Sequence, residues 1–473
     1  MTCVGTKRFN GVRGVVAAVA LLAASAFAGD LRNGCATPGR SGDDCFRDGE
    51  RVVCYGDSIT HNGRYHELLA LYCATRFPER KIAWFNAGES GGTAWSGLNR
   101  IGFDAVTNRP TKVIVMFGMN DVRRDQWPRV GATEENIRNR TNAVSGCVAT
   151  VAELARRLCT EAGAPEIVHL TPSPFDEDCL VGGKRANIAP NAGLAAIADG
   201  IRRLAAKEGR VCVDLQSDLA ALNAKYRADD PSFSFMRRGT NAFDRIHPRR
   251  FGHFFFLHSY LKAVKAPGTV STVGGNAKGG AALAFSALEK SLPFPFDEET
   301  RAALFYCDFQ ERFNRERLVV SNLAPGTYEV LVDGAPIGTW SAGELAHGVE
   351  LSLNEKTPQY AQAQKVRELN ERAWALRETV RNCDMWRYWH KARYPVDDRA
   401  AYEAWFGKTY PNGAEGWNGF LAKTYLENGW KREELLAEIA RLEAERAAAA
   451  RPRRHDWMVR QTAGLADKLR RNL

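Results

Sequence analysis

Between Arg51 and about Ala266 the chain alternates short, mainly apolar runs with longer segments of helical periodicity. The runs are Arg51 to Tyr55, Lys81 to Phe85, Lys112 to Phe117, Glu166 to Leu170 and Val211 to Leu215. A strand with no polar alternate has no face to offer water, so it must be covered on both sides, and strands separated by helices pair in parallel. Five of them predict an α/β fold, a doubly wound parallel five-stranded sheet between two helical layers. Ligands of such sheets bind beyond the C-terminal strand ends, so chemistry is expected there.

The chain has 473 residues, about twice what that core needs, with 45% hydrophobic and 25% charged residues. Those are ordinary globular proportions, so the remainder is expected to fold too. Lys7, Arg8 and Arg13 precede an apolar stretch, Val15 to Ala28, that is short for a bilayer span and closes on Ala26-Phe27-Ala28. Residues 1–28 therefore read as a cleaved signal peptide, which implies a secreted or periplasmic protein with no integral membrane span. Of the eleven cysteines, ten would remain after cleavage, an even number in an oxidising compartment, which leaves room for disulfides. Cys54 and Cys212, inside apolar runs, read equally well as buried thiols. The net charge of +10 comes from scattered lysines and arginines without an aromatic-basic motif, so no nucleic-acid partner is expected.

Beyond the core, which is taken as residues 29–266, Pro267-Gly268 and the stretch Gly274 to Gly280 predict a linker, with a helix completing 267–305. Leu318 to Val320, Thr327 to Val332 and Val349 to Leu353 read as strands, Asp333-Gly334 as a hairpin turn and Ser341 to Glu344 as a capping box, giving a small β-rich module over 306–356. From 357 to 473 the pattern is helical. Val366, Leu369, Ala373, Leu376, Val380 and Cys383 form one stripe, and Leu435, Ile439 and Leu442 a shorter one, as an antiparallel helix pair or an intramolecular coiled coil would require. Trp386, Trp389, Trp405, Trp417 and Trp430 lie between or beside these stripes, either as core or as a stacking platform for sugar rings.

Four blocks stand at or after the strand ends. They are Gly56-Asp57-Ser58-Ile59-Thr60, then Asn86 to Thr93 containing Gly88-Glu89-Ser90-Gly91-Gly92, then Gly118-Met119-Asn120-Asp121, and finally Asp244-Arg245-Ile246-His247-Pro248. In this order they resemble the SGNH (GDSL-type) hydrolases, esterases with a flavodoxin-like three-layer fold, over roughly residues 51 to 265.

The residue types carry the chemistry independently of the resemblance. A serine hydroxyl needs a base within hydrogen-bond reach, and a near-neutral imidazole suits that work. Ser58 is the candidate nucleophile, His247 the base, and Asp244, three residues earlier, the carboxylate that orients the ring. Charge developing on the carbonyl oxygen needs donors already in place. The resemblance implies three: the backbone N–H groups of Ser58 and Gly91 and the side-chain amide of Asn120. Asp57 and Asp121 read as turn caps, and His66, His169 and His253, without a carboxylate at matched spacing, as packing or surface histidines. Ser90 formally fits G-x-S-x-G, but that elbow belongs several strands into its sheet, whereas Ser90 follows the second strand.

The expected protein is a secreted serine esterase without metal or cofactor, acting on a small-molecule or polysaccharide ester. Secretion and the tryptophans favour acetylated glycans. A lysophospholipase or broad carboxylesterase is the alternative within the class, and a non-catalytic glycan-binding protein the alternative outside it. Oligomeric state is not encoded in any of these patterns.

Overall fold

The computed structural model describes residues 39–236 and 244–462. Residues 1–28, assigned above to a signal peptide, lie outside them, as does Cys35. The five predicted strands form one parallel sheet. They are β1 (Arg51–Gly56), β2 (Ala83–Gly88), β3 (Lys112–Met116), β4 (Glu166–Leu170) and β5 (Cys212–Val213), in the order β2-β1-β3-β4-β5. Gly56 pairs with Gly88 on one side and with Met116 on the other, so the C-terminal ends of the three strands lie level.

The helices of this core are α1 (Ser58–His61), α2 (Arg64–Arg76), α3 (Glu134–Glu161), α4 (Asn191–Lys207), α5 (Leu215–Arg227) and α6 (Arg250–Ala263). Because the order reverses at β1, right-handed crossovers place α2 on one face and α3 and α4 on the other. Accordingly α2 packs against α6, and α3 against α4. Strands β1 and β3 and helix α2 are buried almost throughout, which accounts for their lack of polar alternation.

The expected linker is not one. Residues 267–305 contain two strands, β6 (Thr269–Asn276) and β7 (Ala282–Leu288), and a short helix at Glu298–Ala303. The glycines that suggested flexibility serve close strand packing instead. Gly274 has φ +134°, and a Cβ there would stand 1.8 Å from the carbonyl oxygen of Val319.

The β-rich module continues with β8 (Arg315–Ser321), β9 (Thr327–Val332), β10 (Ala335–Ser341) and β11 (Val349–Glu350). Next come α7 (Pro358–His390), α8 (Arg399–Thr409), α9 (Gly416–Asn428) and α10 (Arg432–Ala450), and the described chain ends on β12 (Arg454–Gln461). The expectation of helix through to the C terminus therefore fails at β12, which returns to the module and lies between β9 and β7 in the sheet β10-β9-β12-β7. A second sheet has the order β11-β8-β6. The module is thus built from residues on both sides of the helices, not from 306–356 alone.

Helices α7 and α10 form the expected antiparallel pair. Gln362 donates to the carbonyl oxygens of Ala449 and Arg451, Arg377 pairs with Glu443, and Arg432 pairs with Asp384. The pair docks on the catalytic core, with α7 against α2 and Asn370 donating to the backbone and carboxylate oxygens of Glu67. No described helix is long and apolar enough to cross a membrane. Cys45, Cys54, Cys73, Cys147, Cys212, Cys307 and Cys383 are free thiols, most of them buried.

Candidate active site

Ser58 is the first residue of α1, directly after the end of β1. Asp57 caps that helix, its carboxylate accepting from the N–H of Ile59, as a residue at this position commonly does. The cap turns the chain sharply and sets the serine hydroxyl at the strand end.

His247 and Asp244 arrive on the loop leading into α6. The Asp244 carboxylate accepts from the N–H groups of Ile246 and His247 at 3.0 and 2.9 Å, and its second oxygen lies 2.5 Å from His247 Nδ1. Burial would raise the Asp244 carboxyl, but the His247 ring and these two N–H groups outweigh it and hold the carboxyl down at about 2. A carboxylate facing Nδ1 fixes the proton on that nitrogen and leaves Nε2 with its lone pair. Nε2 lies 2.7 Å from Ser58 Oγ, so the hydroxyl donates to it. Between Asp244 and Ile246, Arg245 takes φ +67° and donates through Nη1 to the carbonyl oxygens of Asp176 and Cys179, both at 2.8 Å. That clamp holds the loop in its left-handed bend.

Gly91 and Asn120 follow β2 and β3, the strands flanking β1. Gly91 has φ +79°, a conformation other residues rarely adopt. Among the described residues the N–H groups of Ser58 and Gly91 donate to no other protein group. The Asn120 amide nitrogen donates to the Gly92 carbonyl at 2.8 Å, which occupies one of its two N–H groups. Its oxygen accepts from Arg124 Nη1 at 3.1 Å, which sets the amide orientation. Asp121, expected to cap a turn, accepts from the N–H of Ala94 at 2.9 Å and so ties the β2 loop to the β3 loop.

Ser90 does not face His247. Its Oγ and backbone N lie 3.1 and 3.2 Å from Nδ1 of His61, whose Nε2 lies 2.8 Å from Oδ1 of Asn382 on α7. This has the outline of a second triad, but its chemistry differs. The amide oxygen carries no charge to stabilise an imidazolium, and burial, followed by the charge of Arg381, pushes the His61 imidazole down to about 4. The ring is therefore a neutral acceptor that holds the Ser90 N–H. The sequence reading missed His61 and Asn382, since 321 residues separate them.

Arg381 also comes from α7. It donates to the Gly88 carbonyl at 2.8 Å and pairs with Asp104. A Cβ on Gly88 would stand 2.1 Å from the His61 backbone nitrogen, so β2 and α1 can approach this closely only at glycine. His66, His169 and His253 are fully buried packing residues, and burial pushes each imidazole down.

Beside the Glu89–Ser90 turn opens a cleft of about 520 Å³, walled on its far side by Trp386, Trp389, His390, Arg393, Trp417 and Leu421 of the extension. A cavity of about 640 Å³ between α5 and α6 is lined by none of the site residues described above. Among the described residues no group of three or more His, Cys, Asp or Glu stands where it could hold a metal ion.

Residues 54–253 match the GDSL-like lipase/acylhydrolase family. Among solved structures, the chain is similar to BT4096, a gut microbial diltiazem-metabolizing enzyme, at 27% identity and a TM-score of 0.77, over 88% of this chain and 98% of that one. It is also similar to Axe2, an acetylxylan esterase from Geobacillus stearothermophilus, at 22% identity and a TM-score of 0.36, over 46% of this chain and 95% of that one. No curated protein sequence matches the chain.

Proposed function

We propose that this chain, whose residues 54–253 match the GDSL-like lipase/acylhydrolase family, is an ester-hydrolysing enzyme that works through an acyl-enzyme on Ser58. The observation that carries this reading is the unbroken row of Asp244, His247 and Ser58, with spacings of 2.5 and 2.7 Å.

In the first half-reaction His247 Nε2 takes the Ser58 proton as Oγ bonds to the ester carbon. The carbonyl oxygen becomes an oxyanion, met by the N–H groups of Ser58 and Gly91 and by the second N–H of Asn120. Asp244, ionised down to about 2, stabilises the imidazolium that forms. Collapse of the intermediate breaks the ester C–O bond, and His247 returns the proton to the departing alkoxide. Water, deprotonated by His247, then repeats the sequence on the acyl-enzyme and releases the acid.

The substrate we propose is an acetylated glycan met outside the cytoplasm. The signal-like N terminus supports the compartment, and the polar and tryptophan-walled cleft supports a sugar over a long acyl chain, which would call for a dry tunnel. A hydrolysis panel from acetyl to long-chain esters and acetylated polysaccharides, run with Ser58→Ala as control, tests both parts. Activity that survives in Ser58→Ala would overturn the mechanism, and a preference for long acyl chains would overturn the substrate class.

A further inference from the structure

The cleft beside Glu89 and Ser90 joins two parts of the chain far apart in sequence. One wall is the turn that presents Gly91, and the other is the meeting of α7 with α9. Trp389 and Trp417 remain 44% and 43% exposed there. Trp417 lies edge-on to the His61 ring at 5.6 Å and stacks on Phe420 at 5.4 Å, so its indole is held in place while part of it stays open to solvent.

Around these aromatic surfaces stand groups whose hydrogen-bonding capacity is unused. Arg393 and Asn418 line the cleft and, among the described residues, Arg393 forms no ion pair and Asn418 no side-chain hydrogen bond, while Nδ1 of His390 is buried without a partner. Glu89, tied to Arg100 and Ser96, adds a fixed carboxylate. Exposed indoles beside an amide, a guanidinium and a carboxylate match a ring with one apolar face and a rim of hydroxyls. They match a hydrocarbon chain poorly, because burying these polar groups against it without partners is costly. The volume, about 520 Å³, falls within the usual range for small-ligand sites.

We propose that this cleft is the subsite for the alcohol half of the ester, and that it takes a hydroxyl-bearing ring such as a sugar. The assignment rests on the reading of Ser58 as nucleophile. It explains why the extension packs against the β2 loop, since specificity is then supplied by a wall that the family domain of residues 54–253 lacks.

The test compares three acetates on the full-length enzyme: methyl 6-O-acetylglucoside, which keeps three free hydroxyls, 2-naphthyl acetate and ethyl acetate. Trp417→Ala and Trp389→Ala, both changes at exposed positions, are measured beside Trp417→Phe. The expected result is a KM for the sugar acetate raised about three- to tenfold in each alanine variant, the loss of one stacking contact. Its kcat, and both constants for ethyl acetate, should stay within about twofold, and Trp417→Phe should restore most of the loss.

Equal losses on sugar acetate and ethyl acetate, or none on either, would overturn the subsite. A loss confined to 2-naphthyl acetate would overturn the ligand class in favour of flat aromatic alcohols. Failure of the nucleophile reading would show separately, as sugar-acetate hydrolysis that persists in Ser58→Ala.

Discussion

Asp57 stands beside the proposed nucleophile with its carboxyl fully buried, and burial raises it to about 7 against the N–H of Ile59, which pulls the other way. An elevated carboxyl favours the folded state fully only below its unfolded value of roughly 4, and that contribution is lost as pH rises through 7. Asp57→Asn keeps a good cap and removes the titration. The melting temperature of the variant should therefore gain on the parent from pH 5 to pH 8 in a thermal-shift series. A constant difference across that range would mean that Asp57 does not titrate there.

Ser58→Ala should lower kcat for a small acetate at least a thousandfold, and a phosphonate probe mapped by mass spectrometry should mark Ser58. Ser90→Ala should keep most of the turnover, since the Ser90 N–H that binds His61 remains. A phosphonate adduct on Ser90 would reverse the assignment. Ser58, Gly91, Asn120, Asp244 and His247 could be picked out as candidates because each lies in a short block at or after a strand end, and the order of those blocks resembles one family. His61 lies in the same turn as Ser58 and still went unread, because its meaning depends on Asn382.

At the scale of elements, α7 acts on the β2 loop through two neighbouring residues. Arg381 holds the Gly88 carbonyl, and Asn382 sets the His61 tautomer whose Nδ1 accepts from Ser90, the residue before Gly91. Asn382→Leu leaves a buried imidazole N–H without a partner and frees the ring to turn. The expected result is a kcat lowered about tenfold or more with KM little changed, since a misdirected oxyanion donor weakens only the transition state.

Asn382→Asp keeps the acceptor but places a negative charge beside His61, which now sits at about 4. The ring then protonates at higher pH and its Nδ1 can no longer accept from Ser90. The acid limb of kcat should shift upward in this variant, whereas a purely structural role for Asn382 would leave the limb in place. The stripe from Val366 to Cys383 predicted α7 from its periodicity, but periodicity reports that a face is buried and not what covers it. The covering surfaces, α10 and α9 for most of the stripe with α2 and β2 beside them, follow only from the packed chain.

At the scale of the molecule, β12 explains why the module expected over 306–356 and the helical extension expected over 357–473 are not two consecutive units. Residues 454–461 alternate exposed and buried, with His455, Trp457 and Val459 inward, a period-two pattern hidden behind a long helical run. Trp457 pairs with Phe285 of β7 on one side and with Val332 of β9 on the other, and its ring stacks on Phe285 at 5.8 Å with a 5° interplanar angle. The helices from 358 to 450 are thus inserted between strands of one module, and the module's core of Leu318, Val320, Tyr328, Val330, Val332, Trp457 and Val459 is separate from the catalytic core. Trp457→Ala should cost that core about 3–5 kcal/mol, the usual range for deleting a buried large aromatic. Because α7 holds the β2 loop through the catalytic core and not through β12, the loss should stay local. Calorimetry should show an early transition for the module, with acetate hydrolysis persisting above it until a second transition. Loss of activity in step with the first transition would show that module and active site unfold as one cooperative unit, and that β12 supports catalysis through the inserted helices.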